Sequence, residues 1–220
     1  MPESSKIAII PALLLVLVVV LAMSVHGLAS SASDVHKADL LLIHKGDTLY
    51  REGNLTGAIY YYKQALAINP RDLYAWSNIG LALLKEKNYT GAVNMFNRVL
   101  SLAPNHVNAL VGKSYAILEL HDYPLVIALS DQAIKRNPSD AAAWDDKGVA
   151  LLKLGNPKAS LQYFDKAISL NPRAADAGTW NRMRISSAAG PNAATCADEF
   201  NLIEAPTTIF PDFSYTLLVQ

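Results

Sequence analysis

The chain has 220 residues, with 19 Lys+Arg against 19 Asp+Glu and a formal net charge of zero. That length suits one ordinary domain or one medium repeat array, and the charge balance excludes a chain-wide basic surface for nucleic acid. The single cysteine, Cys196, excludes an intrachain disulfide and the usual Cys-based zinc sites, so packing must supply the stability.

The first element is apolar. Ile7 to Val25 reads IAIIPALLLVLVVVLAMSV, preceded by Lys6 and followed by the small residues Gly27 to Ser33. A basic start, an apolar run and small residues form a secretory signal pattern, with cleavage after Ala29 or Ala32. The run of 19 residues is also long enough for a single bilayer-crossing helix. Residues 1–35 are therefore expected to be a signal peptide or a single-pass membrane anchor, with membrane contact through 7–25 if uncleaved. Lys6 lies before the run and the nearest base after it is Lys37, which weighs toward a cytoplasmic N-terminus and exported repeats. No Cys follows the run, so a lipid-anchored lipoprotein is excluded. The expected location is the cell membrane with the repeats outside the cytoplasm, or secretion after cleavage.

The next elements recur. Pro70, Pro104, Pro138 and Pro172 are spaced by 34 residues without insertion. Gly46, Gly80, Ser114 and Gly148 keep the same spacing, as do Ala65, Val99, Ala133 and Ala167, and Leu66, Leu100, Ile134 and Ile168. Within each unit, apolar residues recur at three- and four-residue steps, which predicts two helices per unit. Thr56, Thr90 or Asn156 are placed to cap the second helix. Each proline ends its unit, because it lacks an N–H and disfavours helical geometry in the residue before it. A mid-helix glycine costs about 1 kcal/mol relative to alanine, so Gly46, Gly80 and Gly148 need a reason. Close approach of the paired helix at Ala58, Ala92 and Ser160 supplies one. Trp76, Trp144, Tyr62, Phe96 and Phe164 are expected to wedge between units.

These columns resemble the tetratricopeptide-repeat (TPR) family. Its motif runs W-L-G-Y-A-F-A-P at fixed offsets. Unit two reads Trp76, Ile79, Gly80, Leu83, Ala92, Phe96, Val99, Pro104. Unit four reads Trp144, Lys147, Gly148, Leu151, Ser160, Phe164, Ala167, Pro172. Unit one reads Leu42, Lys45, Gly46, Leu49, Ala58, Tyr62, Ala65, Pro70. Unit three is degenerate: Leu110, Lys113, Ser114, Ile117, Val126, Ser130, Ala133, Pro138. Ser130 replaces its aromatic wedge, so unit three is expected to be the loosest. The resemblance implies an all-α, right-handed helical solenoid of antiparallel helix pairs, with units at 39–72, 73–106, 107–140 and 141–172. It covers about three fifths of the chain. A capping helix is expected at 173–189, where Trp180 is off the repeat phase, and a loose tail at 190–220. The tail is acidic: residues 185–220 hold Asp198, Glu199, Glu204 and Asp212 and no base. It also holds Phe200, Phe210 and Phe213, so it is expected to fold over an apolar groove.

In this family the first helix of each unit lines the concave face, which implies a groove for a protein or peptide partner. Tyr50, Tyr74, Ser77, Asn78, Lys85, Asn108, Tyr115, Asp145 and Lys153 are the candidate contacts, the tyrosines foremost because each offers area and a polar tip. Some family members grip a chaperone's C-terminal carboxylate with a basic and asparagine clamp. Here Ile43, Asp47 and Val111 occupy corresponding sites and Asn78 alone fits, so that use is disfavoured. The alternative is a self-associating structural or assembly component of the cell envelope.

Two further motifs bear on the chemistry. Asn54-Leu-Thr56 and Asn88-Tyr-Thr90 are N-x-Thr sequons at one place in successive units, and so possible N-glycosylation sites. The five histidines share no metal-ligand spacing, and no phosphate-loop, nucleophile-elbow or metalloprotease motif occurs. Asp145 and Asp146 are adjacent and point about 100° apart on a helix, so they make no dyad. A non-catalytic scaffold is expected, with no cofactor, metal, small-molecule substrate or nucleic acid.

Overall fold

The structure, a computed structural model, describes residues 35–172. Eight helices and no strand occur among the described residues: α1 (35–51), α2 (Leu55–Ile68), α3 (Leu73–Lys85), α4 (Tyr89–Leu102), α5 (Val107–Glu119), α6 (Tyr123–Arg136), α7 (Ala141–Lys153) and α8 (Pro157–Leu170). The apolar segment 7–25, the capping helix and the tail lie outside them. Among the described residues no helix is long and apolar enough to cross a membrane. The chain divides into two compact units at Ala75 and Trp76, within α3.

One device makes every turn inside a pair. Gly53, Lys87, His121 and Gly155 all have positive φ, at 81°, 58°, 66° and 78°. The residue after each closes the end of the first helix by donating its N–H five residues back. Asn54 donates to the Leu49 carbonyl, Asn88 to Leu83, Asp122 to Ile117 and Asn156 to Leu151. This is the left-handed helix stop that glycine suits best. The same residue then opens the second helix. Asn54 Oδ1 accepts from Gly57 N at 2.9 Å, Asn88 Oδ1 from Gly91 N at 3.0 Å and Asp122 Oδ1 from Leu125 N at 3.2 Å. The caps are therefore Asn54 and Asn88, not Thr56 or Thr90. Asn156 occupies the equivalent place but makes no side-chain cap bond. A short polar side chain at the cap position reaches the free N–H groups, whereas one two residues inside the helix is past them.

Between pairs, Asn69, Ala103, Asn137 and Asn171 leave the helical region before each proline. Asp72, His106 and Asp140 then cap the next first helix, accepting from Ala75 N, Ala109 N, and both Ala142 N and Ala143 N.

The glycine columns mark close approach of the paired helix, with an aromatic ring as the nearest group. A Cβ at Gly46 would lie 2.6 Å from the Tyr62 ring, at Gly80 2.8 Å from Phe96, and at Gly148 2.6 Å from Phe164. The glycine thus makes room for the aromatic residue 16 positions on, which shares its helix with Ala58, Ala92 or Ser160. Tyr62, Phe96 and Phe164 are buried, whereas Trp76 and Trp144 are half-buried. Gly112, off the repeat phase, meets Phe96 as well, its added Cβ falling 2.5 Å from Cζ. Phe96 therefore wedges between α3 and the first helix of the following pair.

Unit three changes both partners together. Ser114 and Ser130 are fully buried and hydrogen-bond across the same 16-residue register at 3.1 Å. Replacing glycine and ring with two small hydroxyls satisfies each buried group with the other. Around them lies an apolar cluster of Leu110, Val111, Ile117, Val126, Leu129 and Ala133, extended by Ala143 and Ala150 of α7. Unit three thus packs closely around its exchanged serine pair.

Candidate protein-binding surface

In the N-terminal unit the candidate Tyr74 and the core residue Tyr62 converge on one carboxylate. Tyr62 donates to Asp47 Oδ1 at 2.7 Å and Tyr74 donates to Asp47 Oδ2 at 2.9 Å. Burial first, then the hydrogen bond to Asp47, pushes the Tyr62 hydroxyl well above the usual tyrosine range, so it remains a donor at all physiological pH. Tyr74 is half-buried and its polar tip is held by the protein itself; Tyr50 is also half-buried. The sequence pointed to Tyr74 as a contact, but its hydroxyl has a structural task as well.

In the C-terminal unit, α5 and α7 lie side by side, with Leu118 packed against Val149, Leu152 and Phe164. Val111, Val149 and Leu152 are 6–7% exposed and form packing. Asn108 and Tyr115 of α5 and Lys153 of α7 are half-buried, each presenting part of its side chain. Lys85 is exposed, and Ser77 and Asn78 of α3 are half-buried. The Ser77 Oγ and Asn78 Nδ2 atoms are enclosed and make no hydrogen bond within the described residues. Asp145 is only 9% exposed, which withdraws it from the contact set.

A polar knot that the sequence reading did not assemble closes one end of this unit. Glu119, in the last turn of α5, stands near enough to Tyr89 of α4 and to Tyr123 of α6 for its charge to act on both hydroxyls. Burial and the Glu119 charge raise the Tyr89 and Tyr123 hydroxyls above their ordinary values. Lys153 is lowered by burial, with Glu119 opposing the shift. A carboxylate at a helix C-terminus opposes the helix dipole, and Lys153 and the tyrosine hydroxyl offset that. The 34-residue spacing of Lys85, Glu119 and Lys153 was the available signal. The other faces carry cation–aromatic pairs: Lys45 lies 4.7 Å from the centre of Tyr61, Lys147 4.6 Å from Tyr163, and Arg98 5.8 Å from Trp76. Among the described residues no three His, Cys, Asp or Glu side chains are grouped to hold a metal ion.

Three family models match the chain in succession: a TPR repeat at 46–87, and tetratricopeptide repeats at 73–106 and 116–177. The chain belongs to the tetratricopeptide-repeat family. Solved structures of TPR proteins share its fold. A MamA fragment, 41-end, from Desulfovibrio magneticus RS-1 is 23% identical with a TM-score of 0.63, over 75% of this chain and 92% of that one. TTC0263, a thermophilic TPR protein of Thermus thermophilus, is 17% identical with a TM-score of 0.62, over 74% and 89%. The TPR domain of Arabidopsis OM64 is 19% identical with a TM-score of 0.50, over 52% and 94%. No curated protein matches the sequence. The fold is that of an all-α TPR solenoid. It suggests a protein–protein interaction scaffold, and TPR repeat proteins are typically non-catalytic.

Proposed function

We propose that this TPR protein is a non-catalytic scaffold that holds a peptide or protein segment against the first helices of its pairs, outside the cytoplasm. The observation that carries the reading is that α5 and α7 lie side by side, Leu118 against Val149 and Leu152, while Asn108, Tyr115 and Lys153 of the same two helices are half-buried. Partly exposed tyrosine and asparagine suit an extended or helical segment: the tyrosine ring supplies area for affinity and the polar tips fix the register. Export rests on the sequence of residues 7–25, as a single-pass anchor or a cleaved signal.

Affinity capture from the envelope fraction with the full chain tests the face. A partner held there is retained by the wild type and lost at least tenfold with Tyr115→Ala and with Asn108→Ala, both folded by circular dichroism. Equal capture by all three overturns the assignment. N-terminal sequencing of the mature chain tests export: a start after Ala29 or Ala32 marks cleavage, and an intact N-terminus in the membrane fraction marks an anchor. An intact chain in the cytosol contradicts both.

A second reading, self-association, has its own observation. Leu40 and Leu41 on α1 are 50% and 68% exposed. Sedimentation velocity across a hundredfold concentration range tests it, and a constant monomer coefficient rules it out.

A further inference from the structure

In units one and two the turn is Asn-x-Thr-Gly, as Asn54 to Gly57 and Asn88 to Gly91; in units three and four it is Asp122-Tyr-Pro-Leu125 and Asn156-Pro-Lys-Ala159. The fold accounts for the asparagines, since Asn54 and Asn88 end one helix and cap the next. It does not account for the threonines. The Thr56 and Thr90 residues are exposed and their side chains make no hydrogen bond within the described residues, and a β-branched residue is a poor choice inside a helix. Nor does capping by itself require the glycines, because Asp122 caps Leu125 without one. A Cβ at Gly57 or Gly91 would, however, stand 2.8–2.9 Å from Cγ, Oδ1 and Nδ2 of Asn54 or Asn88. Glycine keeps the space beside the whole side-chain amide, nitrogen included, clear in the two units that carry a sequon.

We infer that Asn54 and Asn88 are acceptors for N-linked glycans. Both side chains are exposed in their turns. The Oδ1 atom accepts from the glycine N–H, and Nδ2 takes no part in that cap. In the transfer Nδ2 loses a proton and forms a bond to C1 of a sugar. The C1–oxygen bond to a lipid pyrophosphate carrier breaks, and the carrier leaves with the electron pair. The donor is thus a lipid-linked oligosaccharide, and no redox change occurs. The product is still an amide whose carbonyl oxygen accepts a hydrogen bond, so the cap and the modification are compatible. The sequence Asn137-Pro-Ser139 is no competing acceptor, because proline fills its middle position.

The inference rests on the exported setting proposed above, and its test separates the two. The full chain is purified from its own cells, its compartment is fixed by protease accessibility in intact cells, and its peptides are weighed by mass spectrometry. Peptides spanning Asn54 and Asn88 are expected to carry a glycan mass. Thr56→Ala and Thr90→Ala, which leave the caps intact, each abolish the mass at their own site with no change in melting temperature. Asn54→Asp, which keeps a capping oxygen, does the same. Bare peptides from a chain that is cleaved by external protease overturn the glycan and leave export standing. Bare peptides from a protected chain overturn both.

Discussion

Gly80→Ala sets two physical rules against each other. Alanine is the better helix former by about 1 kcal/mol, so propensity alone makes the variant more stable. The structure gives the opposite sign. The new Cβ would lie 2.8 Å from Phe96 Cε1 and 2.9 Å from Cζ, and the ring is only 1% exposed. The ring cannot retreat past Gly112, whose own Cβ position is 2.5 Å from the same Cζ. Overpacking of this kind costs about 1–3 kcal/mol. After the propensity gain the net loss is up to about 2 kcal/mol, or a melting temperature lower by up to about 8 °C for a chain of this size. Circular dichroism at the helix band during heating and in urea measures it. Phe96→Leu in the Gly80→Ala background should recover part of the loss, giving a non-additive double-mutant cycle. A Gly80→Ala chain more stable than the wild type, as propensity alone predicts, would refute the ring-on-glycine packing.

Other outcomes follow from the same contacts. Phe96→Ala removes a fully enclosed ring and should cost about 3–5 kcal/mol, seen as an earlier urea midpoint. Ser114→Ala strands the buried Ser130 hydroxyl and should cost about 1–3 kcal/mol, whereas Ser114→Ala with Ser130→Ala should be close to neutral. Lys87→Gly and His121→Gly relieve positive φ and should each raise stability by about 0.5–1 kcal/mol in the same denaturation assay. His106 caps α5 by accepting from Ala109 N through Nδ1, and burial lowers its pKa in the folded state. The unfolded chain therefore binds the proton more readily. The contribution of His106 is present above its ordinary value of 6.5 and is lost as pH falls below it. Urea midpoints from pH 8 to pH 5 should decline there, and His106→Asn should flatten that step.

The repeat was legible because its columns report backbone geometry. Pro70 and its three counterparts mark helix ends, and the small residues Gly46, Gly80 and Gly148 mark close approach. What approaches was not legible. A glycine records that space is needed and is silent on which atom fills it, so the ring 16 residues on was assigned to another role. The turns were half read. Asn54 and Asn88 stood out as sequons, yet their capping depends on a positive φ at the preceding residue, and Lys87 and His121 adopt that conformation without the glycine that would have announced it. The unit-three serines looked like decay because each was read alone; as a pair in one register they are a coupled exchange. In the surface, burial separated candidates of similar chemistry: Tyr115 and Asn108 keep part of their side chains exposed, Asp145 does not, and Tyr74 is tied to Asp47. The Glu119 knot joins residues from three helices, and no local pattern brings Tyr89, Glu119 and Lys153 together.

Site-specific photo-crosslinking in living cells tests the central claim most directly. A photoreactive residue is placed at Tyr115 or Asn108 on α5, or at the exposed Gln132 on α6, the second helix of the same pair. A scaffold that holds its partner on the first helices yields a discrete protein adduct from positions 115 and 108 and none from 132. An adduct from 132 alone, or none from any position, contradicts it.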